Sequence, residues 1–349
     1  MSSGYTVAAG ANVVHLPRAA ALVPGTVLAT AFSAVGPHDA PVVVVLGGIS
    51  AQRHAADESS GERGWWSNIV GPGAAVDTLR YRVISFDWIG GPEAPLAQSP
   101  NAALPALQAQ PAHAAESVPT TRLQAAALAA ILDRLDIAEV HTIVGASYGG
   151  LVAQAFAEVY PQRVQRLALL CCAHKADPRA RALRHVQREI LRFADSAGRG
   201  KEGVALARSL ALLGYRTGSE LRERFATTSA ASIDAWPATR GAAFAQRFDA
   251  QHYLALSASI DAHSSDPALL RTPLHAWAVA EDELVPLQDV QELVRFCGAP
   301  ATLHVAHSRY GHDAFLKETA AVSSFLNIAL QCAAAPHAAL VLNPTEVFS

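Results

Sequence analysis

Val140-His141-Thr142-Ile143-Val144, then Gly145-Ala146-Ser147-Tyr148-Gly149, then Gly150-Leu151-Val152-Ala153-Gln154-Ala155-Phe156-Ala157: this stretch decides the fold. The first run is short, apolar and rich in β-branched residues, and reads as a buried strand. The last run reads as a helix. Between them stands G-x-S-x-G, the spacing of a nucleophile elbow. So tight a turn forces the central residue into a strained backbone conformation, where bulky neighbours would clash. Gly145 and Gly149 clear that space. The Ser147 hydroxyl then stands above the sheet, and the helix N-terminus behind it favours developing negative charge. An ordinary strand-to-helix turn can carry the same pentapeptide, so the residues that follow must arbitrate.

They do so by their order. His275-Ala276-Trp277-Ala278-Val279-Ala280 reads as a late strand ending in Glu281-Asp282-Glu283-Leu284-Val285-Pro286. Thr302-Leu303-His304-Val305-Ala306 is another strand-like run, followed by Ser308-Arg309-Tyr310-Gly311-His312-Asp313. Serine, then acid, then histidine is the triad order of the α/β-hydrolase fold. His312 is the candidate base. The candidate orienting acid is one of Glu281, Asp282 and Glu283 on the same loop.

Other runs complete an α/β pattern. Pro41 to Leu46, Arg82 to Asp87 and Val164 to Leu170 read as buried strands, and Thr121 to Leu135 as a helix. Strands alternating with helices imply an α/β fold with a mostly parallel central sheet flanked by helices. Residues 92–120 read as a long loop or irregular insertion. Residues 174–268 are helix-rich and lack a convincing strand, which suggests a helical lid inserted between the sixth and seventh sheet strands. The organisation expected is therefore core 13–173, lid 174–268 and core 269–333, with loosely held ends at 1–12 and 334–349.

Composition narrows the class. The chain has 349 residues, 51% of them apolar, enough for one large domain with an insertion. Cys171, Cys172, Cys297 and Cys332 show no metal-ligand spacing and read as reduced, buried thiols. No metal is implied. No apolar run is long enough to span a bilayer, and the N-terminus lacks signal-peptide character, so the expected location is the cytoplasm. Net charge is −3 but uneven: 14 Lys and Arg against 6 Asp and Glu fall between Arg163 and Arg224. That basic excess suggests either an anionic partner or solvated helix faces. Its basic residues are too dispersed, with too few aromatics among them, for nucleic acid.

Further stretches resemble the homoserine O-acyltransferases of the α/β-hydrolase superfamily. They are Gly47-Gly48-Ile49-Ser50, Gly64-Trp65-Trp66, Val70-Gly71-Pro72-Gly73 with Asp77-Thr78, and Tyr81-Arg82-Val83-Ile84. In the presumptive lid they are Gly214-Tyr215-Arg216-Thr217, Glu223-Arg224-Phe225 and Arg247-Phe248-Asp249-Ala250; near the end comes Gly311-His312-Asp313-Ala314-Phe315-Leu316. The resemblance spans most of the chain. It departs at Tyr148, where the family often has methionine, and after Asp87.

The resemblance implies acyl transfer from an acyl-CoA co-substrate to L-homoserine, by a ping-pong route through acyl-Ser147 in methionine biosynthesis. Succinyl-CoA is favoured over acetyl-CoA. It implies a triad of Ser147, Asp282 and His312, and oxyanion contacts from the Ile49 and Tyr148 backbone N–H groups. Arg216 would meet the acceptor's carboxylate and Asp313 its ammonium. No bound cofactor, nucleic-acid partner or membrane partner is implied, and a homodimer through the lid helices is. Two alternatives stay open: L-serine as acceptor, and an esterase or other hydrolase using the same triad.

Overall fold

The computed structural model describes residues 12–16, 28–57, 61–94 and 118–331. Eight strands form the main sheet: β1 (Asn12–His15), β2 (Ala29–Val35), β3 (Val42–Leu46), β6 (Arg82–Phe86), β7 (Thr142–Ala146), β8 (Leu167–Leu170), β9 (Leu274–Val279) and β10 (Ala301–Ala306). Their spatial order is β1-β2-β6-β3-β7-β8-β9-β10. The pairings β1–β2 and β2–β6 are antiparallel, and the others are parallel. Two short strands, β4 (Val70–Gly71) and β5 (Val76–Asp77), pair with each other apart from this sheet.

Burial on both faces explains the central strands. In β3 every residue is buried. Val44 and Leu46 face one apolar cluster, together with α1 (Thr121–Arg134) and α2 (Tyr148–Val159). Val43 and Val45 face the other, which includes Trp66, Ile69, Val70 and Phe325. A β-branched run with no polar face is what a doubly covered parallel strand requires.

Between β8 and β9, the sixth and seventh strands of the main sheet in chain order, come five helices. They are α3 (Pro178–Ser196), α4 (Gly200–Tyr215), α5 (Gly218–Arg224), α6 (Ala230–Ala245) and α7 (Ala250–Ala262). Side-chain caps set several of their starts: Asp177 accepts from the Ala180 N–H, with Pro178 at the first helical position, and Asp249 accepts from the His252 N–H. The chain then returns through α8 (Leu287–Phe296), α9 (Ala314–Lys317) and α10 (Thr319–Gln331). No helix among the described residues is long and apolar enough to cross a membrane.

The expected strands are present, with shifted ends. The elbow strand begins at Thr142 and continues through Gly145 and Ala146, so the first two residues of the pentapeptide belong to the sheet. The antiparallel strands β1 and β2 and the β4–β5 pair are additions to the sequence reading. Most of the 92–120 stretch, Cys332 and the ends 1–11 and 334–349 lie outside the described residues.

Candidate active site

The sheet delivers Ser147 at the carboxyl end of its fifth strand in spatial order, the usual side for a ligand site in an open α/β sheet. Ser147 has φ 53° and ψ −119°. These are the angles of the first central residue of a type II′ turn, where glycine is normally required. The neighbours explain how the turn fits. A Cβ on Gly145 would sit 2.6 Å from the Gly149 carbonyl oxygen, and one on Gly149 would sit 2.2 Å from that of Leu46. The Ser147 N–H donates to the Leu170 carbonyl at 2.9 Å, and the Gly149 N–H to the Gly47 carbonyl at 2.8 Å. The elbow is thus pinned to β8 on one side and to the loop after β3 on the other.

Ser147 Oγ lies 2.9 Å from His312 Nε2, and His312 Nδ1 lies 2.7 Å from Asp282 Oδ2. Asp282 Oδ1 accepts the Leu284 and Val285 N–H groups at 2.9 and 3.0 Å. Both oxygens of that carboxylate are thus engaged, which fixes its orientation towards His312. The rival acids are engaged elsewhere: Glu281 meets His307 Nδ1 and the Ser308 N–H, and Glu283 pairs with Arg179. Burial of His312 disfavours its cation, but the Asp282 charge and hydrogen bond, aided by Asp313, outweigh that and hold its pKa above the ordinary imidazole value.

Ile49 and Tyr148 both line the cavity in front of Ser147. Tyr148 is the first residue of α2, so its N–H has no intrahelical acceptor. Its side chain points into the core instead. The hydroxyl lies 2.7 Å from Ser259 Oγ on α7, and the ring packs edge-on against Trp88 with centroids 4.9 Å apart. This tyrosine therefore bolts the helical insertion to the elbow. Sequence reading missed the support of the Gly47–Gln52 loop. Buried Asp87 accepts from the Arg53 N–H at 2.8 Å and pairs with its guanidinium at 2.5 Å, and Trp88 Nε1 donates to the Gly48 carbonyl at 3.0 Å.

Arg216 and Asp313 meet each other: Arg216 Nε donates to Asp313 Oδ2 at 2.8 Å. Asp313 lines the cavity. Arg216 is buried behind it, 3.6 Å from Glu220 and with its ring-facing side 5.4 Å over Tyr310. The cavity wall instead carries Arg184 and Arg208. The basic excess also differs from a free surface patch. Arg184 and Arg188 both pair with buried Asp261, and Arg192 pairs with Glu189. Much of the charge is answered inside the insertion, so simultaneous neutralisation of these three arginines would disturb packing before it reported on an anion.

The insertion closes over the relay. Its Thr217 hydroxyl donates to the Arg309 carbonyl at 2.6 Å, and the Tyr215 ring lies 6.0 Å from the His312 ring. The enclosed space is about 220 Å³. Cys171 reaches the same place from the end of β8 with φ 50°, another backbone angle costly for a side chain. Its thiol, Asp282 and His312 offer ligand atoms within 4.8 Å of one another, but two of the three already form the relay. Burial, with Asp282 nearby, pushes the Cys171 thiol well up, which suits an inert thiol rather than a second nucleophile.

A strained serine at a strand-to-helix elbow, relayed through histidine to a carboxylate after a later strand, defines the α/β-hydrolase class. The family described as alpha/beta hydrolase fold matches residues 41–319. A homoserine O-succinyltransferase from Xanthomonas campestris is 38% identical over 86% of this chain and 78% of its own length. A homoserine O-acetyltransferase from Thermus thermophilus is 31% identical over 78% of this chain and 73% of its own. The crystal structure of a homoserine O-acetyltransferase from Bacillus anthracis superimposes with a TM-score of 0.77 at 18% identity, covering 89% of this chain and 94% of that one. The chain belongs to the homoserine O-acyltransferase family within that fold.

Proposed function

We propose that this chain transfers an acyl group from acyl-CoA, preferentially succinyl-CoA, to the hydroxyl of L-homoserine, in the cytoplasmic route to methionine. The observation that carries the reading is the continuous Ser147–His312–Asp282 relay opening into a cavity walled by the insertion. Kinship with the succinyl- and acetyltransferases supports it.

In the first half-reaction Ser147 Oγ gives its proton to His312 Nε2 and attacks the thioester carbonyl. The Ile49 and Tyr148 N–H groups receive the developing oxyanion. The C–S bond breaks, and the proton passes from His312 to the departing thiolate. In the second half-reaction His312 takes the proton of the acceptor hydroxyl, whose oxygen attacks the acyl-Ser147 ester. Ser147 leaves and recovers that proton. Asp282 holds His312 in the tautomer that accepts at Nε2 and stabilises the transient cation. Asp313, on the cavity wall, receives the acceptor's ammonium, and Arg216 sets the position of Asp313. The acceptor's carboxylate would reach Arg216 only if that pair opened. The proposal includes a homodimer through the insertion, where Phe193, Leu206 and Leu213 are exposed.

Mass spectrometry tests the core of this reading. Mixing the enzyme with succinyl-CoA or acetyl-CoA is expected to place the acyl mass on the Ser147 peptide, and an L-homoserine chase is expected to remove it. Removal as fast by water alone would favour the hydrolase; faster removal by L-serine would change the acceptor, since one methylene is a weak discriminator.

The pH profile is a second test. Only neutral His312 can accept the serine proton, so kcat/KM rises with pH through the raised His312 pKa. Asp313 helps hold that pKa up. In Asp313→Asn the acid limb is expected at lower pH, alongside a higher KM for homoserine. A limb that stays in place would remove Asp313 from the field acting on His312.

A further inference from the structure

The cavity wall carries Lys175, Arg184 and Arg208 together with Asp177, Asp289 and Asp313, and its cations are unequally partnered. Arg184 on α3 and Arg208 on α4 both line the space in front of Ser147. Arg184 shares the buried carboxylate of Asp261, on α7, with Arg188, at 2.6 and 2.7 Å. Among the described residues Arg208 pairs with no carboxylate. It is held by aromatic faces, 5.1 Å from the Tyr215 ring centroid and 4.6 Å from that of Phe244, and by one hydrogen bond to Tyr215 Oη at 3.3 Å. Tyr253 Oη, on the same wall, donates to Gln187 at 3.0 Å. The charge of Arg184 also reaches His312. Lys175, the other cation on the wall, stands opposite Glu292 at 3.4 Å and is half exposed.

A guanidinium held in a partly buried wall by aromatic faces and one neutral hydrogen bond, as Arg208 is, carries a desolvation cost that an anionic ligand would relieve. An acetyl group offers no such anion. A succinyl group on Ser147 places a carboxylate two methylenes beyond the ester carbonyl, and a guanidinium fork fits that shape. We infer that Arg208, supported by Arg184, is the specificity-determining group that reads the far carboxylate of a dicarboxylic acyl chain carried by Ser147. This deepens the acyl-transfer reading above and rests on it.

The test compares succinyl-CoA with succinamoyl-CoA, a neutral donor of the same size, with L-homoserine as acceptor. In the unaltered enzyme kcat/KM is expected to favour succinyl-CoA by about a hundredfold, the scale of losing one partner of a buried charge pair. In Arg208→Met that ratio should collapse towards one. Arg208→Lys, which keeps a cation without the fork, should fall between and covers the case in which the methionine variant does not fold. An unaltered enzyme that treats both donors alike overturns the inference without any variant. So does an Arg208→Met enzyme that slows both donors equally, which would mark a packing role. A raised KM for homoserine with the donor ratio intact would assign Arg208 to the acceptor and overturn it too. Ester hydrolysis with transfer from neither donor would instead overturn the acyl-transfer reading itself.

Discussion

Ser147→Ala is expected to lower acyl transfer by about 10⁴- to 10⁶-fold and to abolish the acyl-enzyme mass, because among the described residues no other nucleophile hydrogen-bonds His312 Nε2. Cys171 is the nearest rival, and its raised thiol pKa leaves almost no thiolate at neutral pH. The same position stores backbone strain. At φ 53° and ψ −119° a side chain costs about 1–3 kcal/mol relative to glycine. Ser147→Gly and Ser147→Ala both lose the contact with His312, so their difference isolates that strain. Glycine pays about 0.5–1 kcal/mol of extra chain entropy on folding, which leaves a net gain in its favour. Both variants should be inactive, and the glycine variant should melt at the higher temperature. Thermal unfolding by circular dichroism with kinetics on the same samples decides it. Transfer by the alanine variant at even one per cent of normal would require a different nucleophile.

Much of this site was legible because its signals are local. G-x-S-x-G between an apolar run and a helix reports a turn that few other residues can make, and the structure gives that turn its expected strain. Acid and histidine loops after late strands were legible for the same reason. Choosing Asp282 from three consecutive acids was not a local matter. It depends on which carboxylate faces His312 and on the Leu284 and Val285 N–H groups that turn it there. The supporting pair Arg53–Asp87 joins residues 34 apart, and the contact Tyr148–Ser259 joins residues 111 apart, so no periodicity signals either. The basic segment shows the limit of counting. Its net charge is real, but side-chain direction decides that Arg184 and Arg188 close on Asp261 while Arg208 is left facing the cavity. The strands β1 and β2 escaped notice because their short segments are stabilised by antiparallel pairing at one side of the sheet rather than by a distinctive composition.

Asp282→Asn is expected to cost about 10⁴-fold in kcat while leaving the fold in place, the scale of the corresponding change in serine proteases. The reason lies in the hydrogen bonds. Asp282 Oδ1 accepts two backbone N–H groups, and Oδ2 accepts from His312 Nδ1. An asparagine has one acceptor and one donor end. Its oxygen is held by the Leu284 and Val285 N–H groups, so its amide NH₂ must face His312. Nδ1 then has to accept, the ring proton moves to Nε2, and Nε2 can no longer take the proton of Ser147. The charge that most raises the His312 pKa is lost as well, so any residual activity should show its acid limb at lower pH than in the unaltered enzyme. Glu281 and Glu283 cannot substitute, since each is tied to its own partners on the outer side of the loop. Glu281→Gln and Glu283→Gln should therefore stay within a few-fold of full activity, as surface substitutions usually do. An Asp282→Asn enzyme within tenfold of normal, or a large loss in either glutamine variant, would move the orienting role to another carboxylate.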